Sequence, residues 1–125
     1  MSENYLPLRK LSPIQKRNNL NEVFCTDEKG PGGGYHEYSI VDGCGVRRAR
    51  ILFQKGPRND PDSRDGVTDQ DLLEIVRDRL RAFQTGPLPS RETACALTHI
   101  EEAIMWLSRR ADDRAERKVL GSYEK

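Results

Sequence analysis

The hydrophobic period of this chain changes once, across a polar gap, and that change limits what can fold on either side. Before the gap, YHEYSIVD (35–42) and RRARILFQ (47–54) alternate with the two-residue period of a half-buried strand. After it, apolar residues recur at three- and four-residue spacing from Leu72 to Leu107, the period of amphipathic helices. The gap, KGPRNDPDSRDGV (55–67), is turn residues and charge throughout and reads as a surface loop. Neither period can be accommodated by the other backbone, so the chain is expected to be α+β. A small N-terminal antiparallel β-sheet is followed by a C-terminal antiparallel helical hairpin.

Within 21–54, NEVFCT (21–26) is a short apolar run. The strand 35–42 puts Tyr35, Glu37, Ser39 and Val41 on one face and His36, Tyr38 and Ile40 on the other. In 47–54, Ala49, Ile51 and Phe53 oppose Arg48, Arg50 and Leu52. Asp42-Gly43-Cys44-Gly45 between them is a hairpin signal, because Asp and Gly tolerate the positive φ of tight turns. Residues 1–20 hold two prolines and scattered charge and read as an irregular arm. The hairpin is placed at 68–118 and a tail at 119–125. Thr68 can cap the first helix, with Asp71 completing a capping box, and Leu72, Leu73, Ile75, Val76, Leu80 and Phe83 form its stripe. Thr85-Gly-Pro-Leu-Pro89 stops it, because two prolines cannot continue a helix. Ser90 caps a second helix with the stripe Ala94, Leu97, Ile100, Ala103, Ile104 and Leu107.

Only 35% of the 125 residues are hydrophobic and 33% are charged, so one domain with a modest core is expected and oligomerisation would supply further burial. Lysine plus arginine, 21, nearly balances aspartate plus glutamate, 20, which argues against wrapping duplex nucleic acid or lying on an anionic membrane. Three cysteines without framework spacing fit reduced thiols. There is no membrane-length apolar run or signal-peptide apolar region, so a soluble intracellular protein is expected.

The residues able to carry chemistry favour binding over catalysis. KGPGGGYHEYSI (29–40) lacks the GK[ST] ending of a Walker loop and leads into a strand rather than a helix. Its glycines either turn the chain or expose N–H groups to an anion, with Lys29 adding charge at the edge. Arg110, Arg114 and Arg117, spaced i, i+4, i+7, lie close to the continuation of the second apolar stripe. Either the helix overruns its core there and they stand in water, or they line a pocket or subunit contact suited to phosphate oxygens. Phe83 ends the first helix beside the turn, where it either caps the hairpin core or stacks on a base. Cys95 and His99 share a helix face, but no CxxC or HExxH accompanies them and no metal site or cofactor is expected. Glu101 and Glu102 are adjacent and point apart, and no nucleophile motif surrounds either histidine, so no catalytic site is expected.

Taken in order, KGPGGGYHEYSI (29–40), ILFQKGP (51–57), GVTDQDLLEIVRDRLRAFQTGP (66–87), SRETACALTHIEEAIMWLSRR (90–110) and DRAERKVLGSY (113–123) resemble the phage Thoeris anti-defence family. The helical hairpin also resembles that of the anti-CBASS sponge family. The resemblance implies capture without turnover of cyclic ADP-ribose isomers made by defence TIR enzymes, in the cytoplasm of the infected bacterial host. It extends to cyclic di- or trinucleotides, which some members hold in separate pockets. It also implies a dimer or trimer of dimers with ligands at subunit contacts. Carried across residue by residue, the nucleotide pocket falls on Lys29 with Gly32 and Gly33, on Phe83, on Arg91-Glu92-Thr93 and on Arg110, with Arg58 and Arg114 as further candidates. In that pocket Lys29, Arg110 and the loop N–H groups neutralise a diphosphate, Phe83 stacks on adenine, and Thr93 bonds a ribose hydroxyl or base edge. Two departures bear on ligand preference: Thr93 stands where the family pattern has Asn, and Lys118 where it has Gly. The competing readings are a small hydrolase of such a signal and an interaction module built on the Arg-rich second helix.

Overall fold

Alternation in the first half produces a four-stranded antiparallel meander. The computed structural model describes residues 9–15 and 20–116, with side chains as far as 113. The strands β1 (Arg9–Lys10), β2 (Asn21–Cys25), β3 (Glu37–Asp42) and β4 (Arg47–Leu52) lie in chain order across the sheet. Directly paired residues share a face, so the register sets Val23, Ile40 and Ala49 in one row and Cys25, Tyr38 and Ile51 in the next. Phe53 adds an edge-on contact to the Tyr38 ring, with centroids 5.8 Å apart. This is the apolar face the alternation predicts. Ser39 and Val41 on the other face are buried, as is Cys25 on the apolar one.

Two features depart from the sequence reading. Arg9–Lys10, within the segment read as an irregular arm, pair with Cys25 and Phe24. Near the β3–β4 turn the register skips Arg48: Ile40 faces Ala49 while Val41 faces Arg47. That bulge frees Arg48 to bind the Asp42 carboxylate, Nε to Oδ2, at 2.7 Å. The loop after β4 is not structureless. Lys55 and Arg64 exchange backbone hydrogen bonds of 2.8 and 2.9 Å and close it into a ring.

Residues 1–66 and 67–125 form two compact units. The second is the helical hairpin, α1 (Asp69–Gln84) and α2 (Arg91–Glu116). The capping box forms as the sequence predicts: Thr68 Oγ1 accepts from the Asp71 N–H, and the Asp71 carboxylate accepts from the Thr68 N–H. A cap of this kind stabilises a helix by about 1 kcal/mol. Contacts between Gln70 and Leu107, Arg77 and Glu101, and Gln84 and Ser90 fix the helices as antiparallel. No described helix is long and apolar enough to cross a membrane.

The α2 stripe is half-buried as predicted, from Ala94 to Leu107. The α1 stripe is narrower than the apolar pattern suggests. Leu72, Leu73, Arg77 and Leu80 are half-buried, whereas Ile75, Val76 and Phe83 are exposed. A single partner helix covers only one seam, and the amphipathic stem of Arg77 occupies part of it.

Candidate functional site

The sequence-predicted site residues fall into three separate places. The first is the glycine turn of the N-terminal unit. Pro31–Gly33 make a single 3-10 turn in which Gly32 and Gly33 take φ of 75° and 81°, a conformation only glycine adopts without strain. The Gly30 N–H donates to Gly34 O at 2.8 Å and the Gly33 N–H to Gly30 O at 3.0 Å. The Gly30 and Gly33 N–H groups thus close the turn on itself. Lys29 is exposed beside it. Sequence reasoning did not single out Lys55, whose Cε lies 3.2 Å from the position a Gly30 Cβ would take. The available signal was a repeated tripeptide, KGP at 29–31 and again at 55–57.

Arg58 belongs to the same unit but is engaged in holding its loop. Its Nε donates to Gln54 Oε1 at 2.8 Å, its Nη2 donates to Gly66 O at 3.1 Å, and Asp65 lies 3.4 Å away. Gln54 in turn accepts from the Gly66 N–H at 3.1 Å.

The second place is the hairpin tip, with Phe83 near the end of α1 and Arg91 and Thr93 at the start of α2. Gln84 clasps the turn in both directions, donating to Ser90 O at 3.0 Å and accepting from the Ser90 N–H at 3.1 Å. Ser90 caps α2 through the Thr93 N–H at 3.0 Å, and its hydroxyl also meets that of Thr93 at 2.9 Å. Thr93 is therefore part of the cap, with one hydrogen bond already assigned to its hydroxyl. Phe83 is 49% exposed, so it does not close a core. The Arg79 guanidinium, which the sequence reading missed, lies 4.9 Å from its ring centroid and covers one ring face. The i, i+4 spacing of Arg79 and Phe83 was the signal. Among the described residues, Arg81 and Arg91 have no acidic partner, so the tip carries uncompensated positive charge.

The third place is the far end of α2. Arg110 lies seventeen positions beyond Thr93, about 25 Å along a helix. Because Gln70, in the first turn of α1, bonds Leu107 O, α2 runs on past α1, and exposed Arg110 lies on that overhang. Ala111, not Arg110, is the half-buried continuation of the stripe. Arg114 lies on the helix, its side chain beyond those described; Arg117 and Lys118 lie outside the described residues. Within one hairpin, then, Phe83 and Arg110 stand at opposite ends.

Among the described residues the Cys95–His99 pair gains no further metal ligand. Cys95 and His99 are exposed, His99 lying 3.8 Å from Glu102, and no group of three or more His, Cys, Asp or Glu could hold a metal ion.

Comparison with known proteins supplies the family. Thoeris anti-defense 1 of Bacillus phage SBSphiJ7 is 38% identical over 96 residues, 77% of this chain; the match spans 66% of that protein's length. The profile described as "Acb2/Tad1, hairpin domain" matches residues 46–112, from the β3–β4 turn through both helices. With more than half of its length matched, this chain belongs to the Acb2/Tad1 hairpin family.

Proposed function

We propose that this chain is a phage anti-defence protein that captures cyclic ADP-ribose-type signals, and cyclic di- or trinucleotides in separate pockets, without degrading them. It would act as a homo-oligomer in the cytoplasm of the infected bacterium. The observation that carries the reading is the 38% identity to a Thoeris anti-defense protein. The hairpin tip supplies chemistry that suits the ligand class. A half-exposed phenyl ring with one face already under a guanidinium leaves the other face for a base. Arginines without acidic partners suit a diphosphate. Arg110 lies some 25 Å from the tip in its own chain, so a pocket using both Phe83 and Arg110 takes them from two copies.

The test incubates purified protein with cyclic ADP-ribose isomers and cyclic oligonucleotides, then quantifies free ligand by chromatography before and after heat denaturation. Capture predicts depletion followed by recovery of intact ligand. Depletion with a new product peak would establish a hydrolase instead. Phe83→Ala should weaken capture by about 1–3 kcal/mol, the stacking contribution of one base, without lowering thermal stability. Full capture by that variant would remove Phe83 from the site.

A further inference from the structure

Two threonines of α2 dispose of their hydroxyl protons differently. Thr98 follows the common course of a helical threonine, its hydroxyl donating back to Ala94 O at 3.1 Å. Thr93 has no such outlet. The carbonyl four residues back belongs to Pro89, which precedes the helix. The carbonyl three back, Ser90 O, already takes the Gln84 side-chain amide at 3.0 Å and the Ala94 N–H at 3.1 Å. What remains is the Ser90 hydroxyl, 2.9 Å from Thr93 Oγ1.

One proton lies between those two oxygens, and the surroundings decide whose it is. Ser90 Oγ accepts the Thr93 N–H at 3.0 Å and so faces the first turn of α2, where backbone N–H groups lack helical partners. A hydroxyl proton turned toward those donors would be repelled. Ser90 therefore donates its proton to Thr93 Oγ1, and both roles of its own hydroxyl are filled. The proton of half-buried Thr93 is left without an acceptor among the described residues. We propose that Ser90 is a positioning residue that presents Thr93 at the hairpin tip as a hydrogen-bond donor, so that the tip selects a nucleotide by an acceptor atom, a ring nitrogen or a ribose oxygen. The inference rests on the capture reading and states what the departure from Asn at position 93 does. An amide offers a donor and an acceptor in one plane and can read the paired donor and acceptor of an adenine edge, whereas this hydroxyl reads a single acceptor.

The experiment has a ligand-free arm and a capture arm. In low-temperature proton spectra of the isotope-labelled full chain, the Ser90 hydroxyl, held between two partners, should give a resolved, slowly exchanging signal. The Thr93 hydroxyl should exchange with water too fast to be seen. The reverse pattern overturns the inference without reference to any ligand. The capture arm compares the cyclic ADP-ribose isomer that the parent depletes with analogues lacking one ring nitrogen of the base or one ribose hydroxyl. The parent should hold one analogue about tenfold more weakly, the loss of one hydrogen bond, and Thr93→Val should hold that analogue and the intact ligand alike. Ser90→Asp keeps α2 capped, but its carboxylate only accepts and takes the Thr93 proton. The tenfold ratio should then collapse to about one while the thermal midpoint is not lowered, and Ser90→Thr should keep the ratio. The added charge of Asp weakens both ligands together and cancels in the ratio. A ratio that survives Ser90→Asp, as a purely structural cap predicts, overturns this inference alone. So does a parent that captures the intact ligand and every analogue equally. A chain that captures none of them overturns the capture reading, and the selectivity with it.

Discussion

Gly66 shows how one residue sets the local path of the N-terminal unit. A Cβ there would lie 2.3 Å from Leu52 O and 2.6 Å from Phe53 C, both main-chain atoms that no rotamer change can move. The close approach lets Arg58 reach Gly66 O and lets Gln54 take the Gly66 N–H, so the ring of loop 55–66 closes on the end of β4. Gly66→Ala should therefore destabilise the chain by about 1–3 kcal/mol, the usual range for overpacking, read as a lower urea midpoint. Arg58→Ala, which removes bonds on the exposed side of the same ring, should cost less. Equal stability of Gly66→Ala and the parent would mean that the strand end and loop relax apart freely. The same detail explains why Arg58 was readable from sequence as a basic loop residue but not as a brace: its partners are eight or fewer residues away in sequence, yet their geometry depends on a glycine nothing else marks.

At the scale of elements, the β3–β4 turn is organised by one carboxylate. Asp42 Oδ1 accepts from the Cys44 N–H at 2.9 Å and the Val46 N–H at 3.0 Å, while Oδ2 binds Arg48. The Val46 N–H chiefly, with Arg48 and the Cys44 N–H, holds the Asp42 carboxyl below its ordinary value of 3.8, against a smaller opposing effect of desolvation. A depressed folded-state pKa stabilises the turn at pH above the unfolded value and loses that contribution as pH falls through the folded one. Amide protection at Cys44 and Val46 should thus hold from neutral pH to about pH 4 and fall below it, whereas Asp42→Asn should show no such step. Protection that stays flat into strong acid would show that the backbone alone keeps the turn. This turn was legible because Asp-Gly is a local signal, as was the Thr68–Asp71 capping box. The Arg9–Lys10 strand was not, since two residues carry no period and their pairing comes from the edge of β2. Nor was the boundary of the α1 stripe. Val76 and Arg77 are neighbours, and which of them faces α2 is decided by the Glu101 partner, 24 residues on, with Nε to Oε2 at 2.8 Å.

At the scale of the whole molecule, the hairpin lacks what a free-standing unit needs. No described residue of α1 or α2 is buried, and Ile75, Met105 and Trp106 are 64%, 55% and 55% exposed. Under the proposed function, a second copy would cover these side chains and complete a Phe83–Arg110 pocket, which one hairpin cannot assemble. Light scattering should then give a multiple of the chain mass, and the thermal midpoint should rise with protein concentration. Ile75→Glu should lower both. A mixing experiment separates an oligomer that merely buries surface from one that shares its site. Phe83→Ala and Arg110→Ala should each weaken capture when expressed alone, read at ligand concentrations where only intact pockets fill. Co-expressed, a dimer with shared sites regains about a quarter of them: half of the randomly formed dimers are mixed, and each of those carries one pocket with both side chains intact. A trimer of such dimers keeps the same fraction. No recovery on co-expression, with oligomerisation intact, would mean that Phe83 and Arg110 do not meet across the contact. The arginine at the overhang would then serve another surface, and the tip would bind with Arg79, Arg81 and Arg91 alone.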